Sequence, residues 1–247
     1  MSDILENQID KLLDQCFDWS EQNESIRWLF SQSTSAALKN KHLTFDKFIF
    51  IGKYEYQRFL DEIIDDDWLV NTNRQNTIEA QKQTENIFLR KAKAIEGLTD
   101  INHNQEVRTT SLALDHYPKT LEFLNNFALN VGAGKLERAM IVNLKPYSEI
   151  GSHIDGGLYY LFRDRYHLVL KSNGSLMQVH NEQSTWHEGE MWWFQNKLFH
   201  QAFNNSNENR IHIIFDVLPF NNIGMVSKIR RKIYEKYGVD KKIIENY

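Results

Sequence analysis

The sequence predicts a mainly β protein, a barrel or sandwich with flanking α-helices. Between Glu137 and Val217, short strand-like segments follow one another closely and are broken by turn residues, as in an all-β architecture. Helical spacing of apolar residues is confined to the segments before and after this region. Hydrophobic residues make up 41% of the chain and aromatic residues 13%, which is enough for a packed interior.

The first 43 residues predict a helical extension ahead of the main domain. Apolar residues recur there at the spacing of one helix face, namely Ile9, Leu12, Leu13, Cys16 and Phe17. A polar, serine-rich stretch from Ser31 to Asn40 is the best candidate for a connection. We therefore expect the main domain to begin near residue 44.

Residues 44–222 are expected to form one domain. It opens with a strand at Thr44–Ile51 and a helical pattern from Tyr56 to Ile64. Pro118 suits the first turn of another helix, which should end near Gly132 or Gly134. The strands that follow are predicted at Glu137–Leu144, Tyr166–Leu170, Ser175–Val179, Glu190–Gln195 and Ile211–Val217.

Residues 223–247 predict a basic C-terminal helix that packs on this domain. Lysines and arginines are concentrated between Ser227 and Ile244, while Ile229, Ile233 and Tyr237 form an inward-facing stripe. A solvated helix face is the favoured interpretation of the charges. Contact with nucleic acid or phosphate is the alternative.

Composition limits the classes of partner and compartment. The net charge of −4 and a pI near 6.1 give no overall basic field for nucleic acid or an anionic membrane. No apolar run has the length of about 20 residues that crosses a bilayer. Cys16 is the only cysteine, so no intramolecular disulfide can form, and we expect a cytoplasmic protein. The oligomeric state is left open.

Two histidines and a carboxylate form the candidate metal site. Non-heme iron(II) oxygenases hold iron with two imidazoles and one carboxylate on one face and leave the other positions open. His153, Asp155 and His200 have these chemical types. Residues two apart on a strand project to the same side, so His153 and Asp155 can reach one ion, and His200 completes the set.

A His-x-Asp pair alone is weak evidence, and the chain contains a competing group. His180, Glu182 and His187 also offer two imidazoles and a carboxylate. They lie in a stretch rich in Asn, Gln, Ser and Thr that is typical of an exposed turn. We rank this group below the first.

Cations near the candidate iron site predict an acidic cosubstrate. A planar guanidinium can grip a carboxylate through two hydrogen bonds, and Arg210 begins a strand whose alternation turns it toward the interior with His212 and Asp216. Arg165 and His167 form a second pair on one strand face. An exposed arginine beside a core histidine is the alternative for that pair.

The order and spacing of these residues resemble the aspartyl/asparaginyl β-hydroxylase family. The resemblance is most specific over Asn143–Pro219 and extends back to about Thr44. It rests on Arg165-Tyr-His167-Leu, Trp186-His-Glu-Gly-Glu190, Phe194, His200-Gln-Ala-Phe-Asn204-Asn205, Arg210 and Phe215-Asp216-Val217.

The resemblance implies a double-stranded β-helix, a cupin-like jelly roll that uses Fe(II), 2-oxoglutarate and O2. By that resemblance His153, Asp155 and His200 bind iron, and Arg165, His167 and Arg210 contact the cosubstrate. Some members present a hydroxyl to the cosubstrate from the strand before the first histidine. This chain has Val142-Asn143 there, which makes Asn143 the candidate substitute.

The resemblance further implies hydroxylation of an amino-acid or peptidyl side chain of the Asp, Asn or Pro type, with release of succinate and CO2. The substrate would be a small amino acid, a peptide or a protein. Two alternatives remain at this point. One is a non-catalytic barrel that binds an acidic metabolite, and the other is an oxygenase that docks to nucleic acid through its basic C-terminal helix.

Overall fold

The computed structural model describes residues 47–70, 72, 76–96, 98 and 104–239. The predicted N-terminal extension at residues 1–43 and its connection lie outside the described residues. None of the helices in the described part has the length and apolar character needed to cross a bilayer.

Two antiparallel sheets face each other and form a double-stranded β-helix, as predicted. The larger sheet has seven strands in the order β1-β9-β6-β11-β4-β2-β3, and the smaller has four in the order β5-β10-β7-β8. From β4 onward the chain passes repeatedly between the sheets, which is the winding of a jelly roll. The strands are β1 (Phe48–Lys53), β2 (Thr84–Ala92), β3 (Val107–Thr109), β4 (Gly134–Leu144), β5 (Ser148–His153), β6 (Asp164–Lys171), β7 (Leu176–Val179), β8 (Glu182–Thr185), β9 (Glu190–Phe194), β10 (His200–Asn204) and β11 (Arg210–Pro219).

Five α-helices and three 3-10 turns flank the sheets within the described residues. The helices are α1 (Gln57–Leu60), α2 (Ser111–His116), α3 (Pro118–Asn130), α4 (Leu158–Leu161) and α5 (Ile223–Lys236). The 3-10 turns are Asp65–Leu69, Glu79–Gln81 and Phe220–Asn222. The strands predicted after residue 136 agree with the observed ones to within three residues at each end.

Helix α3 covers the outer face of the larger sheet. Pro118 occupies its first turn, and the Glu62 carboxylate accepts hydrogen bonds from the backbone N–H groups of Lys119 (2.7 Å) and Thr120 (2.9 Å). A carboxylate at this end satisfies otherwise unpaired donors and complements the helix dipole. Leu124 and Phe127 then pack into the largest apolar core.

The helical pattern predicted from Tyr56 to Ile64 is only partly realised. A single turn, α1, is followed by the 3-10 turn at Asp65–Leu69. The acidic side chains of this segment are committed to α2 and α3: Glu62 caps α3, and Asp67 accepts a hydrogen bond of 2.7 Å from the Tyr117 hydroxyl. These tertiary contacts override the local helical spacing.

A separate apolar cluster fills the space between the two sheets and surrounds the candidate site. It includes Ile150 and Ala202 from the smaller sheet and Val169 and Phe194 from the larger one. Side chains from facing sheets interdigitate here, so polar groups in the same layer are removed from bulk water.

The predicted inward stripe of the C-terminal helix is confirmed. Ile229 and Ile233 are fully buried, and Tyr237 packs against the same cluster. The helix runs from Ile223 to Lys236, and residues 240–247 of the predicted segment lie outside the described residues. Lys228, Arg231 and Lys236 are exposed on its other side, as a solvated face requires.

The packing of α5 predicts the effect of shortening one side chain. Ile229→Ala should lower the free energy of unfolding by about 2–4 kcal/mol, because it removes buried methyl groups and leaves a cavity. Urea unfolding measures the change, with the exposed Lys228→Ala as the control, expected within about 0.5 kcal/mol of wild type. Equal effects of the two substitutions would contradict the docking of α5.

Candidate active site

A β-bulge at the end of β5 turns His153 into the space between the sheets. Ile150 pairs with Ala202 of β10, and His153 pairs with His200. Two residues of β5 between these pairs therefore lie opposite one residue of β10. Regular alternation would place Ile150 and His153 on opposite faces. The extra residue reverses that alternation, and both side chains line the same cavity.

Asp155 reaches the cavity from the loop after β5. Its backbone N–H donates to the carbonyl of Asn196 (3.0 Å), and its Oδ2 accepts from the Asn196 side-chain amide (2.9 Å). His153 and Asp155 do come together, but the predicted reason, their shared face on one continuous strand, is wrong. β5 ends at His153, and the Asn196 contacts fix the carboxylate.

The structure brings the three predicted metal ligands together. One potential ligand atom from each of His153, Asp155 and His200 lies within 4.8 Å of the others. His200 Nε2 is 4.0 Å from Asp155 Oδ2, and the two imidazole centroids are 4.3 Å apart. The described residues contain no other such group of His, Cys, Asp or Glu. The spacing suits one small cation.

Backbone carbonyls set the same tautomer on both imidazoles. Nδ1 of His153 donates to the carbonyl of Gly151 (2.7 Å), and Nδ1 of His200 donates to the carbonyl of Leu198 (2.9 Å). Since Nδ1 carries the proton in each ring, Nε2 presents its lone pair. Outer partners of this kind orient imidazole ligands around metals.

The competing group around His180 does not converge. His180, Glu182 and His187 are all exposed, at the turn between β7 and β8 and in the segment after β8. Their predicted lower rank agrees with this placement.

Arg165 lies at the cavity wall between two carboxylates. Its Nη1 donates to Asp155 Oδ2 at 2.6 Å, and its Nε and Nη2 donate to Asp216 at 2.8 Å and 3.1 Å. Burial alone raises the pKa of Asp155, but Arg165 and the two imidazoles hold that pKa well below its ordinary value. Arg165 therefore keeps Asp155 ionised. Its predicted role at the cosubstrate stays a prediction.

Arg210 is a buried cation with unsatisfied donors. Its side chain is 1% exposed, and its Nε donates to the Ser175 hydroxyl at 3.2 Å. Its Nη1 and Nη2 have no hydrogen-bond partner among the described residues. Burial lowers the pKa of Arg210 to about 9, which still leaves the group charged at neutral pH. Unpaired buried charge is rare and points to a missing anion.

His167 borders the same cavity as a neutral imidazole. Its Nδ1 lies 3.4 Å from Nδ1 of His212, one strand away. Burial, together with the positive charges of Arg210 and Arg165, lowers the pKa of His167 well below its ordinary value. A neutral imidazole here can donate one hydrogen bond without adding charge.

Four further residues shape the site through contacts that the sequence pattern did not indicate. They are Gln81, whose amide nitrogen is 3.5 Å from His153 Nε2, Ser175 beside Arg210, Asn196 on Asp155, and Asp216 on Arg165. Strand alternation had placed Asp216 on the inward face with Arg210, but it did not indicate the contact with Arg165. The others lie on loops or turns far away in sequence, where no periodicity indicates an inward direction.

Asn143 does not replace the family's hydroxyl, because it lies on the wrong face of β4. Its side-chain amide donates to Glu85 at 2.9 Å, while its neighbour Val142 lines the cavity. Adjacent residues of a strand point to opposite faces, so Asn143 and Val142 cannot both face the cavity. Ser175 is the hydroxyl that contacts Arg210.

A family profile for aspartyl/asparaginyl β-hydroxylase matches residues 64–219, which contain every element that lines the cavity. The chain belongs to the aspartyl/asparaginyl β-hydroxylase family. This is a hydroxylase family, in agreement with the resemblance found in the sequence. No curated protein sequence matches the chain.

Solved structures share parts of the architecture at low identity. An oxidoreductase of the 2OG-Fe(II) oxygenase family from Burkholderia pseudomallei is 11% identical, covers 77% of this chain and 89% of its own, and has a TM-score of 0.45. A cupin domain from Bordetella pertussis is 13% identical, covering 32% and 79%, with a TM-score of 0.27. A predicted oxalate decarboxylase from Thermotoga maritima is 13% identical, covering 34% and 67%, with a TM-score of 0.29. Likenesses this weak say nothing about reaction or substrate.

The buried imidazoles predict that the free energy of unfolding of the protein, measured without metal, depends on pH. Burial and neighbouring cationic or imidazole groups lower the pKa values of His167 and His212, and that of His200 falls to about 4. The unfolded chain protonates these rings near pH 6.5, so it binds more protons than the folded chain below that pH. The free energy of unfolding should therefore fall between pH 6.5 and 5, by at most about 1.4 kcal/mol per pH unit for each ring.

Urea unfolding in the presence of a chelator measures this dependence. His212→Phe should flatten it, because one buried titrating ring is removed, whereas the exposed His187→Phe should leave it unchanged. A free energy of unfolding that is constant from pH 7 to 5 would contradict neutral buried imidazoles.

Proposed function

We propose that this protein is an Fe(II)- and 2-oxoglutarate-dependent dioxygenase that hydroxylates an amino-acid or peptidyl side chain. One observation carries the proposal. The two histidines of a His-Asp-His cluster line one cavity together with a buried, unsatisfied guanidinium. The cluster suits a divalent metal, and the guanidinium suits one end of a dicarboxylate.

The donor set fits iron(II). Two imidazole nitrogens that present lone pairs and one ionised carboxylate form the set that non-heme oxygenases use, and this set leaves coordination positions open. His153, Asp155 and His200 would hold the ion. When bound, iron and 2-oxoglutarate supply the oxidising chemistry, with O2 consumed and succinate and CO2 released.

The chemistry of the cavity lining also suits the cosubstrate. Nη1 and Nη2 of Arg210 offer a two-pronged donor for the distal carboxylate, and the Ser175 hydroxyl lies beside them. Val142 and Ile214 line the cavity with apolar surface that suits the carbon chain of the dicarboxylate. His167 would donate to a carboxylate oxygen closer to the metal.

The chain's own groups orient the reactants and exclude water. Arg165 holds the Asp155 carboxylate through Nη1, so its first role is to position a metal ligand, and contact with the cosubstrate is its second proposed role. Phe194 and Met177 line the cavity with apolar surface. A dry, fixed cavity directs the oxidant at the substrate instead of the protein.

The substrate and the compartment belong to the same proposal. We take the substrate to be a free amino acid or a residue of a peptide or protein. We propose the cytoplasm as the compartment, because Cys16 is the single cysteine and a reducing environment suits it.

Removal of a metal ligand should abolish cosubstrate turnover. Protein reconstituted anaerobically with Fe(II) and then given O2 and 2-oxoglutarate should form succinate. His200→Ala and Asp155→Ala should each reduce the rate by roughly 100-fold or more, because each removes an iron ligand. His187→Ala, from the exposed group, serves as the control. Succinate formation that is unchanged in both variants would sink the iron assignment, and 2-oxoglutarate binding without turnover in wild type would favour the non-catalytic metabolite barrel.

Replacement of Arg210 should weaken the cosubstrate and not the metal. Arg210→Met keeps most of the buried volume and removes a charge-assisted contact of about 1.5–3 kcal/mol, which corresponds to roughly a 10- to 150-fold higher Kd for 2-oxoglutarate. Anaerobic titration of the cobalt-loaded protein measures both affinities, with the exposed Arg58→Met as the control. Unaltered 2-oxoglutarate affinity would remove Arg210 from the cosubstrate site.

A further inference from the structure

Gln81 lies beside the atom of His153 that faces the proposed metal. It ends the 3-10 turn Glu79–Gln81, which packs on β5, and its side chain lines the cavity. Its backbone carbonyl accepts a hydrogen bond of 2.8 Å from the Thr84 hydroxyl, and its N–H donates to the carbonyl of Ile78 at 2.9 Å. The residue is only 4% exposed, so its amide is held at the cavity and away from bulk water.

The amide of Gln81 loses its acceptor when a metal binds. Its Nε2 is 3.5 Å from His153 Nε2, whose lone pair accepts because Nδ1 donates to Gly151. A metal ion takes the same lone pair. A buried amide without a partner is unfavourable, so Gln81 then needs a new hydrogen-bonding group next to the metal's open positions.

The charged groups around the filled cavity would balance one another, and the buried Lys197 behind them is offset by the neighbouring Asp164. Among the described residues that line it, the cations are Arg165 and Arg210. Arg165 forms ion pairs with both Asp155 and Asp216. Arg210 would pair with one carboxylate of the dicarboxylate. The two positive charges of the metal would balance the second of the two aspartates and the other carboxylate of the dicarboxylate. The described lining therefore offers no spare cation to a substrate carboxylate, and burial of an unpaired carboxylate carries a large desolvation penalty.

We propose that Gln81 is a specificity-determining residue that receives the primary amide of an uncharged substrate side chain, so that asparaginyl targets are selected over aspartyl targets. Two amides can pair through two hydrogen bonds, since each has an N–H donor and a carbonyl acceptor. A carboxylate can accept from Gln81 but leaves the Gln81 carbonyl facing a negative charge. The inference rests on the proposed function, because the target must lie next to the metal.

Cobalt-substituted protein tests the inference without turnover. Under anaerobic conditions the protein is saturated with Co²⁺ and 2-oxoglutarate, and the visible cobalt spectrum is recorded. Two hexapeptide pools are then titrated, randomised at every position except one central residue, which is Asn in one pool and Asp in the other. Wild type should respond to the Asn pool at a concentration at least 10-fold lower than to the Asp pool.

Two substitutions and one matched control locate the preference. Gln81→Leu keeps the approximate size and removes the amide, and it should bring the two pools to within about threefold. Gln81→Arg supplies the cation that the described lining lacks, and it should reverse the preference toward the Asp pool. Gln83→Leu makes the same change two residues away on an exposed side chain and should keep the wild-type preference.

Each outcome bears on one assignment. A wild-type preference for the Asp pool, a response to neither pool, or a preference retained in both Gln81 variants would overturn the role of Gln81. Failure of wild type to bind cobalt or 2-oxoglutarate would instead contradict the proposed function. Melting temperatures of the variants within a few degrees of wild type separate a lost preference from a lost fold, and if Gln81→Arg fails this check, Gln81→Leu alone decides.

Discussion

The buried ion pairs of Arg165 are the interaction on which the rest of the site depends. One guanidinium on β6 joins Asp216 of β11 to Asp155 of the loop after β5. Loss of one member of such a buried network leaves an uncompensated charge, which typically costs about 3–5 kcal/mol. The network therefore links the larger sheet to the loop that carries the carboxylate of the proposed metal site. It also keeps that carboxylate anionic although the residue is buried.

The two imidazoles are oriented by a different device, which is local to the backbone. Each ring donates from Nδ1 to a carbonyl two residues earlier in the chain, Gly151 for His153 and Leu198 for His200. The β5 bulge is what places the His153 ring on the inner face opposite β10. Charge pairing thus fixes the carboxylate, and backbone geometry fixes the imidazoles. Both devices use the protein's own hydrogen bonds and ion pairs, which is what a rigid scaffold should provide.

Sequence pattern predicted the parts of this arrangement that depend on residue type and strand alternation. The alternation of polar and apolar residues around Arg210 and His167 predicted that both side chains face inward, as they do. The spacing of Ile229 and Ile233 predicted the buried face of α5. The sequence pattern did not predict the site where one extra residue breaks the alternation of a strand, or where a loop supplies the hydrogen-bonding partner. The bulge before His153 has no signature in residue type, and the contacts of Asn196 and Gln81 join segments far apart in sequence. The same limit applies to Tyr56–Ile64, where contacts of Glu62 and Asp67 with distant residues override the helical spacing.

The described residues around the cavity pair their charges unevenly, and this bears on how the proposed ligands would fit. Asp155 is already paired with Arg165, so the metal joins a site whose carboxylate needs no rearrangement. Arg210 has no carboxylate within reach of Nη1 and Nη2 among the described residues, and its only hydrogen-bond contact there is the neutral Ser175 hydroxyl. The proposed dicarboxylate would therefore gain a desolvated cation at one end and the proposed metal at the other, and it would complete the charge balance of the interior. Once that balance is reached, further negative charge is disfavoured, and the remaining recognition falls to neutral groups such as the Gln81 amide.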